Sequence, residues 1–133
     1  MPNGSFQVST KSTMELVDIT PQMTQVLRHH SVSSGLLFFF NPHTTAALTI
    51  NEGADPAVRS DIVKGLQHIV PQLDYRHLEG NSVAHLMATL IGSSLTIQVQ
   101  DGKPLLGTWQ KIYFCEFDGP RERTVRWKLL QTD

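Results

Sequence analysis

The chain has 133 residues, a length that suits one domain with a substantial core. Its formal net charge is −1 and only 17% of its residues are charged, which argues against electrostatic capture of nucleic acid. A hydrophobic share of 40% excludes a disordered chain, and the longest apolar run, residues 36–40, is too short to cross a membrane. The single Cys115 and a polar first segment without a secretory signal predict a cytoplasmic protein.

The first fifty residues predict four strands and one helix. Alternating apolar residues in 6–8, and more loosely in 17–19, are typical of half-buried strands. A helix is predicted from Thr20-Pro21 to about His30, because a capping hydroxyl precedes a proline in the first turn. The apolar run 36–40 predicts a strand buried on both faces, with 45–50 as its neighbour.

Two further helices are predicted before position 93. Asp55-Pro56 begins the first and Pro71 ends it, while the second begins at Asn81 or Ser82 and ends at Gly92. Both carry an apolar stripe at helical spacing, formed by Val58, Ile62, Leu66 and Ile69 in the first and by Val83, Leu86, Met87 and Leu90 in the second.

The last forty residues predict strands. Residues 95–99 alternate, Asp101-Gly102 indicates a hairpin that Pro104 should loosen, and long strands are expected over 107–117 and 125–129. The sequence therefore predicts a single α+β domain, with helices packed on one face of a largely antiparallel or mixed sheet. Because both faces of strand 107–117 are partly apolar, Trp109 included, we expect a second subunit to cover the face that the helices leave free.

Six histidines are the most chemically suggestive feature. His29, His30 and His68 lie at predicted helix C-termini, where the helix dipole and capping explain them. His43, His77 and His85 lack that explanation, and His85 points away from the apolar stripe of its helix. Three converging imidazoles would form an open zinc-like site. Because spacings of 34 and 8 residues match no local ligand motif, separate surface histidines remain the alternative.

Carboxylates and arginines complete the candidate residues. Glu52 and Glu116 could act as base, acid or support for a metal ligand, although each could equally be a loop or strand acid. Arg121 lies with a second arginine in a turn that suits phosphate or carboxylate binding. Cys115, inside a strand, is expected to be an inert core thiol.

Three signatures occur in order along the chain. The first is residues 43–61 with His43 and Asp55-Pro56, and the second is residues 77–85 with His77 and His85. The third combines Gly92 and Ser94 with residues 107–110, Gly-Thr-Trp-Gln, and residues 116–121, which contain Glu116 and Arg121. Together they resemble the YjbQ-like family. The resemblance spans about residues 36–126. One departure is that the stretch from His77 to His85 is shorter and less acidic than in some relatives, which makes Glu79 a weaker match.

The resemblance implies a homotrimer with a histidine-lined metal site, which selects His43, His77 and His85 as ligands of a divalent ion, zinc first. It also implies a secondary thiamine-phosphate synthase activity, which joins a pyrimidine diphosphate to a thiazole phosphate and releases pyrophosphate. Thr108 and Gln110 then join Arg121 as substrate-binding residues, and Glu52 and Glu116 become the catalytic carboxylates.

Three functions therefore remain open. The first is a metal-assisted enzyme acting on a phosphorylated small molecule, and the second is a metal-dependent hydrolase. The third is a binding or assembly protein whose metal is structural. The expected partners are a phosphorylated small molecule and further copies of the chain, with neither nucleic acid nor membrane.

Overall fold

Two antiparallel sheets and three helices make up the computed structural model, which describes residues 2–132. The strands are β1 (Asn3–Ser9), β2 (Glu15–Asp18), β3 (Ser34–Phe40), β4 (Ala46–Glu52), β5 (Ser94–Gln100), β6 (Lys103–Pro104), β7 (Gln110–Glu116) and β8 (Glu122–Gln131). The helices are α1 (Thr20–His29), α2 (Pro56–Ile69) and α3 (Ser82–Ile91). Within residues 2–132, no helix is both long and apolar enough to cross a membrane.

The larger sheet has the strand order β1-β8-β3-β5-β6, and the smaller one has the order β2-β7-β4. Every pair is antiparallel. The predicted hairpin at Asp101-Gly102 is confirmed and is tighter than Pro104 suggested. Asp101 and Gly102 have φ values of 52° and 72°, as a two-residue type I′ turn between β5 and β6 requires.

The main core lies between the two sheets. Larger-sheet side chains such as Leu37, Phe39 and Leu129 pack with Leu48 and Phe114 of the smaller sheet. Helix α1 adds two buried residues, Met23 and Leu27, to this cluster. The α+β class and the antiparallel pairing are thus confirmed, whereas the expectation of one sheet is wrong. The strands divide into two sheets that cover each other's inner faces.

A second core covers the other face of the smaller sheet. Helices α2 and α3 pack there against Leu16, Ala47, Tyr113 and Cys115. Both faces of β7 are therefore covered within one chain, so the apolar faces of this strand give no reason to expect a second subunit. Burial raises the pKa of the Cys115 thiol to about 12, which agrees with the prediction of an inert core thiol.

Several local predictions are wrong. Strand β3 pairs with β5 and β8 rather than with β4, and it is buried on one face only, since Leu36 and Phe40 on the other face are exposed. The strand expected over 107–117 begins only at Gln110, and Trp109 lies in a turn with 64% of its surface exposed. On α3, Leu86 and Leu90 are exposed, whereas Ala84 and Met87 are buried. The side of α3 that packs against the smaller sheet is formed by Ala84, Met87 and Ala88.

Candidate functional site

A cavity of about 430 Å³ opens at one end of the smaller sheet. Antiparallel pairing places the start of β4 beside the end of β7, since Ala46 is paired with Glu116. The turn before β4, the N-terminus of α3 and the loop before β8 all reach this end. The cavity is lined by Pro42, His43, Thr44, Thr45, His77, Glu79, Asn81, His85, Asp118, Arg121 and Arg123. The three histidines singled out from the sequence thus border one cavity.

The buried Asn41 side chain holds the turn that carries His43. Its Oδ1 accepts a hydrogen bond from the His43 N–H at 3.0 Å, and its Nδ2 donates to the carbonyl of Ala46 at 2.7 Å. The His43 ring is fixed from the other side, because its Nε2 accepts a hydrogen bond from the Thr124 N–H at 2.9 Å. Burial, and then the charge of Arg123, lower the pKa of His43.

His77 and His85 approach each other across the cavity. Their ring centroids are 5.5 Å apart and nearly perpendicular, and His77 Nε2 lies 4.0 Å from Glu79 Oε2. Two imidazoles that share a tetrahedral zinc ion have centroids about 5 Å apart, so this pair has the spacing to hold a metal. Across residues 2–132, however, no three His, Cys, Asp or Glu side chains form a group that could hold an ion.

A buried ion pair supports the cavity from behind. Glu116 and Arg123 side chains are 0% and 4% exposed, and the guanidinium binds the carboxylate through both Nε and Nη2. Thr10 and the Asp118 N–H also donate to this carboxylate, at 2.7 and 3.1 Å. Burial alone raises the pKa of Glu116, but these hydrogen bonds outweigh it and the net pKa is lowered. Arg123 also donates to Thr45 Oγ1 at 2.9 Å.

Arg121 is the exposed cation of the cavity. Its Nε donates to the Asp118 carbonyl at 2.7 Å, and its Nη2 donates to Asp118 Oδ2 at 2.8 Å. Asn81 Nδ2 donates to the same carboxylate at 3.0 Å, while the buried Asn81 Oδ1 has no hydrogen-bond partner among residues 2–132. Only glycine fits at Gly119 in this loop, because a Cβ there would lie 2.5 Å from a backbone oxygen.

The remaining predicted residues lie elsewhere in the chain. Glu52 is paired with Gln110, at the opposite end of β4 and β7 from the histidines, and Thr108 is in the turn next to it. Seven strand residues place that end about 20 Å away. Glu52 Oε2 accepts a hydrogen bond from the Asp55 N–H at 3.1 Å. One chain therefore assembles the histidines with Arg121 and places Glu116 behind them, without Glu52, Thr108 or Gln110.

Sequence reasoning did not single out Asn41 or Asp118. The available signal for Asn41 is that it precedes Pro42 directly after the apolar run 36–40, because asparagine commonly hydrogen-bonds the backbone of the turn that it begins. Asp118 stands three residues before Arg121, which is the one available signal that it holds this guanidinium.

A second cavity of about 520 Å³ shares Pro42, His43, Thr44 and His85 with the first. Its other walls include Phe40, Ala46 and Ala88, so it is the more apolar of the two. His43 and His85 thus lie between the first cavity, which is rich in charged groups, and the second cavity, which has an apolar wall.

Comparisons with known proteins agree with the motifs. The family model described as "UPF0047 protein YjbQ-like" matches residues 4–132. A UPF0047 protein of Methanocaldococcus jannaschii is 49% identical over 126 residues, which are 94% of this chain and 91% of that protein. UPF0047 protein YugU of Bacillus subtilis is 43% identical over 129 residues, with 95% and 97% covered.

Solved structures share the fold along nearly the whole chain. The crystal structure of a hypothetical protein from Aeropyrum pernix K1 has a TM-score of 0.94 at 41% identity, with 99% of this chain and 100% of that chain covered. The structure of an uncharacterized conserved YjbQ/UPF0047 family protein from Clostridium acetobutylicum has a TM-score of 0.92 at 46% identity, with 95% and 98% covered. With relatives this similar over so much of its length, the chain belongs to the YjbQ-like UPF0047 family.

Proposed function

We propose that the protein is an enzyme acting on a phosphorylated small molecule, with thiamine-phosphate synthase chemistry as the first reaction to test. The observation that carries this proposal is the cavity in which three histidines from separate segments meet the exposed guanidinium of Arg121. Imidazole and guanidinium donors suit the oxygens of a phosphate or diphosphate. The apolar wall of the adjoining cavity suits the organic part of such a molecule.

Arg121 is the proposed phosphate-binding residue. Asp118 holds its Nε and Nη2, so the side chain is positioned before a ligand arrives. Arg121 remains 52% exposed as a side chain and borders the cavity, so it has donors left for ligand oxygens. Arg123, by contrast, uses its guanidinium on Glu116 and Thr45 inside the wall.

A divalent metal ion, zinc first, belongs to the proposal as a cofactor. His77 and His85 would hold it, because their ring spacing fits a shared ion. When bound, such an ion would neutralise charge on a phosphate group and so favour release of pyrophosphate.

We also propose that the protein is a cytoplasmic homotrimer. Support comes from Leu86 and Leu90, which lie one turn apart on α3 and are 41% and 61% exposed. In a ring of identical subunits, two different surfaces of the chain form each interface. A neighbouring copy could therefore place its Glu52 or Gln110 beside the histidine-lined cavity. Sedimentation equilibrium that gives only the 14.9 kDa monomer at micromolar concentration would contradict the trimer.

Turnover on a panel of phosphorylated metabolites tests the proposal. The panel includes the pyrimidine diphosphate with the thiazole phosphate, and pyrophosphate release is the readout. Arg121→Lys should raise the apparent dissociation constant, because lysine keeps the charge but loses the planar fork. Arg126→Lys, an exposed arginine of β8 outside the cavity, should change nothing.

The panel also separates the alternatives. Phosphate release from a single substrate and water would indicate the hydrolase instead. Bound metal without turnover of any substrate would favour the binding or assembly protein. Unchanged kinetics in both Arg121→Lys and Glu52→Gln would remove these residues from the proposed site.

A further inference from the structure

We infer that His43 is not a metal ligand but donates a hydrogen bond from Nδ1–H to an anionic oxygen of the ligand. The identity of that ligand rests on the proposed function, whereas the position of the proton on the imidazole ring is argued from the fold alone. The inference departs from the zinc-ligand role that the family resemblance implies for His43. It follows from the hydrogen bond between the Thr124 N–H and His43 Nε2.

That hydrogen bond has a reason in the sheet. The pairing of β3 with β8 ends at Phe40 and Arg126, and the chain then turns away at Asn41. Thr124 therefore lies beyond the last residue with which β3 pairs. The His43 ring follows the end of β3 and supplies the acceptor for this N–H, at 2.9 Å.

A backbone N–H can only donate, so His43 Nε2 must present its lone pair. A neutral imidazole carries one proton, which is therefore on Nδ1. Coordination of a metal through Nδ1 would move that proton to Nε2, where it would point at the Thr124 N–H. Zinc ligation by a neutral His43 and the Thr124 hydrogen bond thus exclude each other.

The Nδ1 atom of His43 has no hydrogen-bond partner in the part of the chain that the structure describes. Among residues 2–132, the hydrogen bonds of this residue use its backbone groups and Nε2, and none uses Nδ1. His43 borders both cavities, beside the guanidinium-bearing wall of the first. A fixed N–H donor in a cavity with a nearby exposed arginine fits an oxygen of inorganic phosphate, pyrophosphate or a phosphate ester.

Nuclear magnetic resonance of ¹⁵N-histidine-labelled protein tests the ring directly. Long-range ¹H–¹⁵N correlations distinguish the Nδ1–H tautomer from the Nε2–H tautomer, and loss of the signal in His43→Gln assigns it. We expect Nδ1–H at His43 in the absence and presence of zinc. An Nε2–H tautomer, or a shift of His43 Nδ1 to metal-bound values with zinc, would overturn the inference.

Two substitutions then distinguish the role of His43 Nδ1 from that of Nε2. The amide of His43→Gln reaches the position of Nε2 and can still accept from Thr124, whereas the amide of His43→Asn reaches only the position of Nδ1. With inorganic phosphate and pyrophosphate as probes in calorimetry, His43→Gln should weaken binding about tenfold or more, and His43→Asn should weaken it less. His29→Gln, on the exposed end of α1, is the matched control. Equal weakening by Gln and Asn would contradict donation from Nδ1.

Zinc stoichiometry supplies the third measurement. His43→Gln should bind as much zinc as the wild type, whereas His85→Gln should lose it; equal losses would overturn the inference. A wild-type protein that binds neither phosphate probe contradicts the proposed function and the ligand half of this inference. The tautomer then still decides whether His43 can be a metal ligand.

Discussion

The ion pair of Glu116 and Arg123 offers the sharpest test of how the cavity wall is held. Glu116→Gln keeps the size of the side chain and removes its charge. The carboxylate accepts four hydrogen bonds, two from Arg123 and one each from Thr10 and the Asp118 N–H. Because the Arg123 side chain is only 4% exposed, water cannot solvate the guanidinium charge that the substitution leaves without its counter-ion.

Removing one partner of such a buried pair costs about 3–5 kcal/mol of unfolding free energy. That is a large share of the roughly 5–15 kcal/mol available to a domain. Urea denaturation at pH 7 and one fixed protein concentration, followed by tryptophan fluorescence, measures it. The control is Glu122→Gln. Within the described residues 2–132 the exposed Glu122 carboxylate accepts side-chain hydrogen bonds only from the Ser9 hydroxyl, at 2.6 and 2.8 Å, and its loss should cost no more than about 1 kcal/mol.

The contribution of Glu116 to the unfolding free energy should depend on pH in a definite direction. Because the pKa of Glu116 is lowered in the folded protein, its contribution is complete above the unfolded value of about 4.3. It is lost as the pH falls through the lower, folded pKa. The stability gap between wild type and Glu116→Gln should therefore be widest near pH 7 and narrow in acid. If the unfolding free energy of Glu116→Gln lies within about 1 kcal/mol of the wild-type value at pH 7, the pair contributes no more than an exposed ion pair and the reasoning is refuted. A difference that grows as the pH falls would also refute it.

Three further predictions follow from the placement of single residues. In the same denaturation assay, Trp109→Ala should lower the unfolding free energy much less than Phe114→Ala, which should cost about 3–5 kcal/mol because Phe114 is fully buried. Equal losses of unfolding free energy would show that the Trp109 ring is buried. Cys115, with its pKa raised to about 12, should react with a thiol reagent at pH 8 only as fast as the chain unfolds; rapid native labelling would contradict this. Gly102→Ala should lower Tm because φ is 72°, whereas Gly65→Ala, inside α2 with open space around its Cβ, should raise it; shifts of the same sign would contradict the backbone argument.

Local patterns predicted the elements better than their assembly. Alternation in 95–99, the Asp101-Gly102 turn and the proline-started helix α2 are confirmed, because each depends on neighbours in sequence. The division into two sheets depends on pairings such as Asn3 with Lys128, which no local pattern reports. Strand β7 looked apolar on both faces because a sheet covers one and helices the other. The sequence cannot distinguish that cover from a second subunit.

The candidate site was predictable in part by elimination. Helix ends account for His29 and His68, and the histidines without that explanation do border one cavity. Membership of one motif block did not predict proximity, since the extended strand β4 carries Glu52 to the end opposite the one that His43 precedes. Residues nine positions apart in sequence thus lie at opposite ends of a sheet.

The chemistry of His43 shows what spacing alone cannot predict. Its position before a strand and its distance in sequence from His77 and His85 are equally compatible with a ligand and with a donor. What separates the two roles is a backbone N–H 81 residues away, which takes the Nε2 lone pair and so places the proton on Nδ1. Two histidines can therefore line one cavity and still differ in what their rings can bind. Within residues 2–132 the His85 ring makes no hydrogen bond, whereas Nε2 of His43 already accepts one. The hydrogen-bond partner of each ring nitrogen, rather than the count of histidines, decides which of them is able to hold an ion.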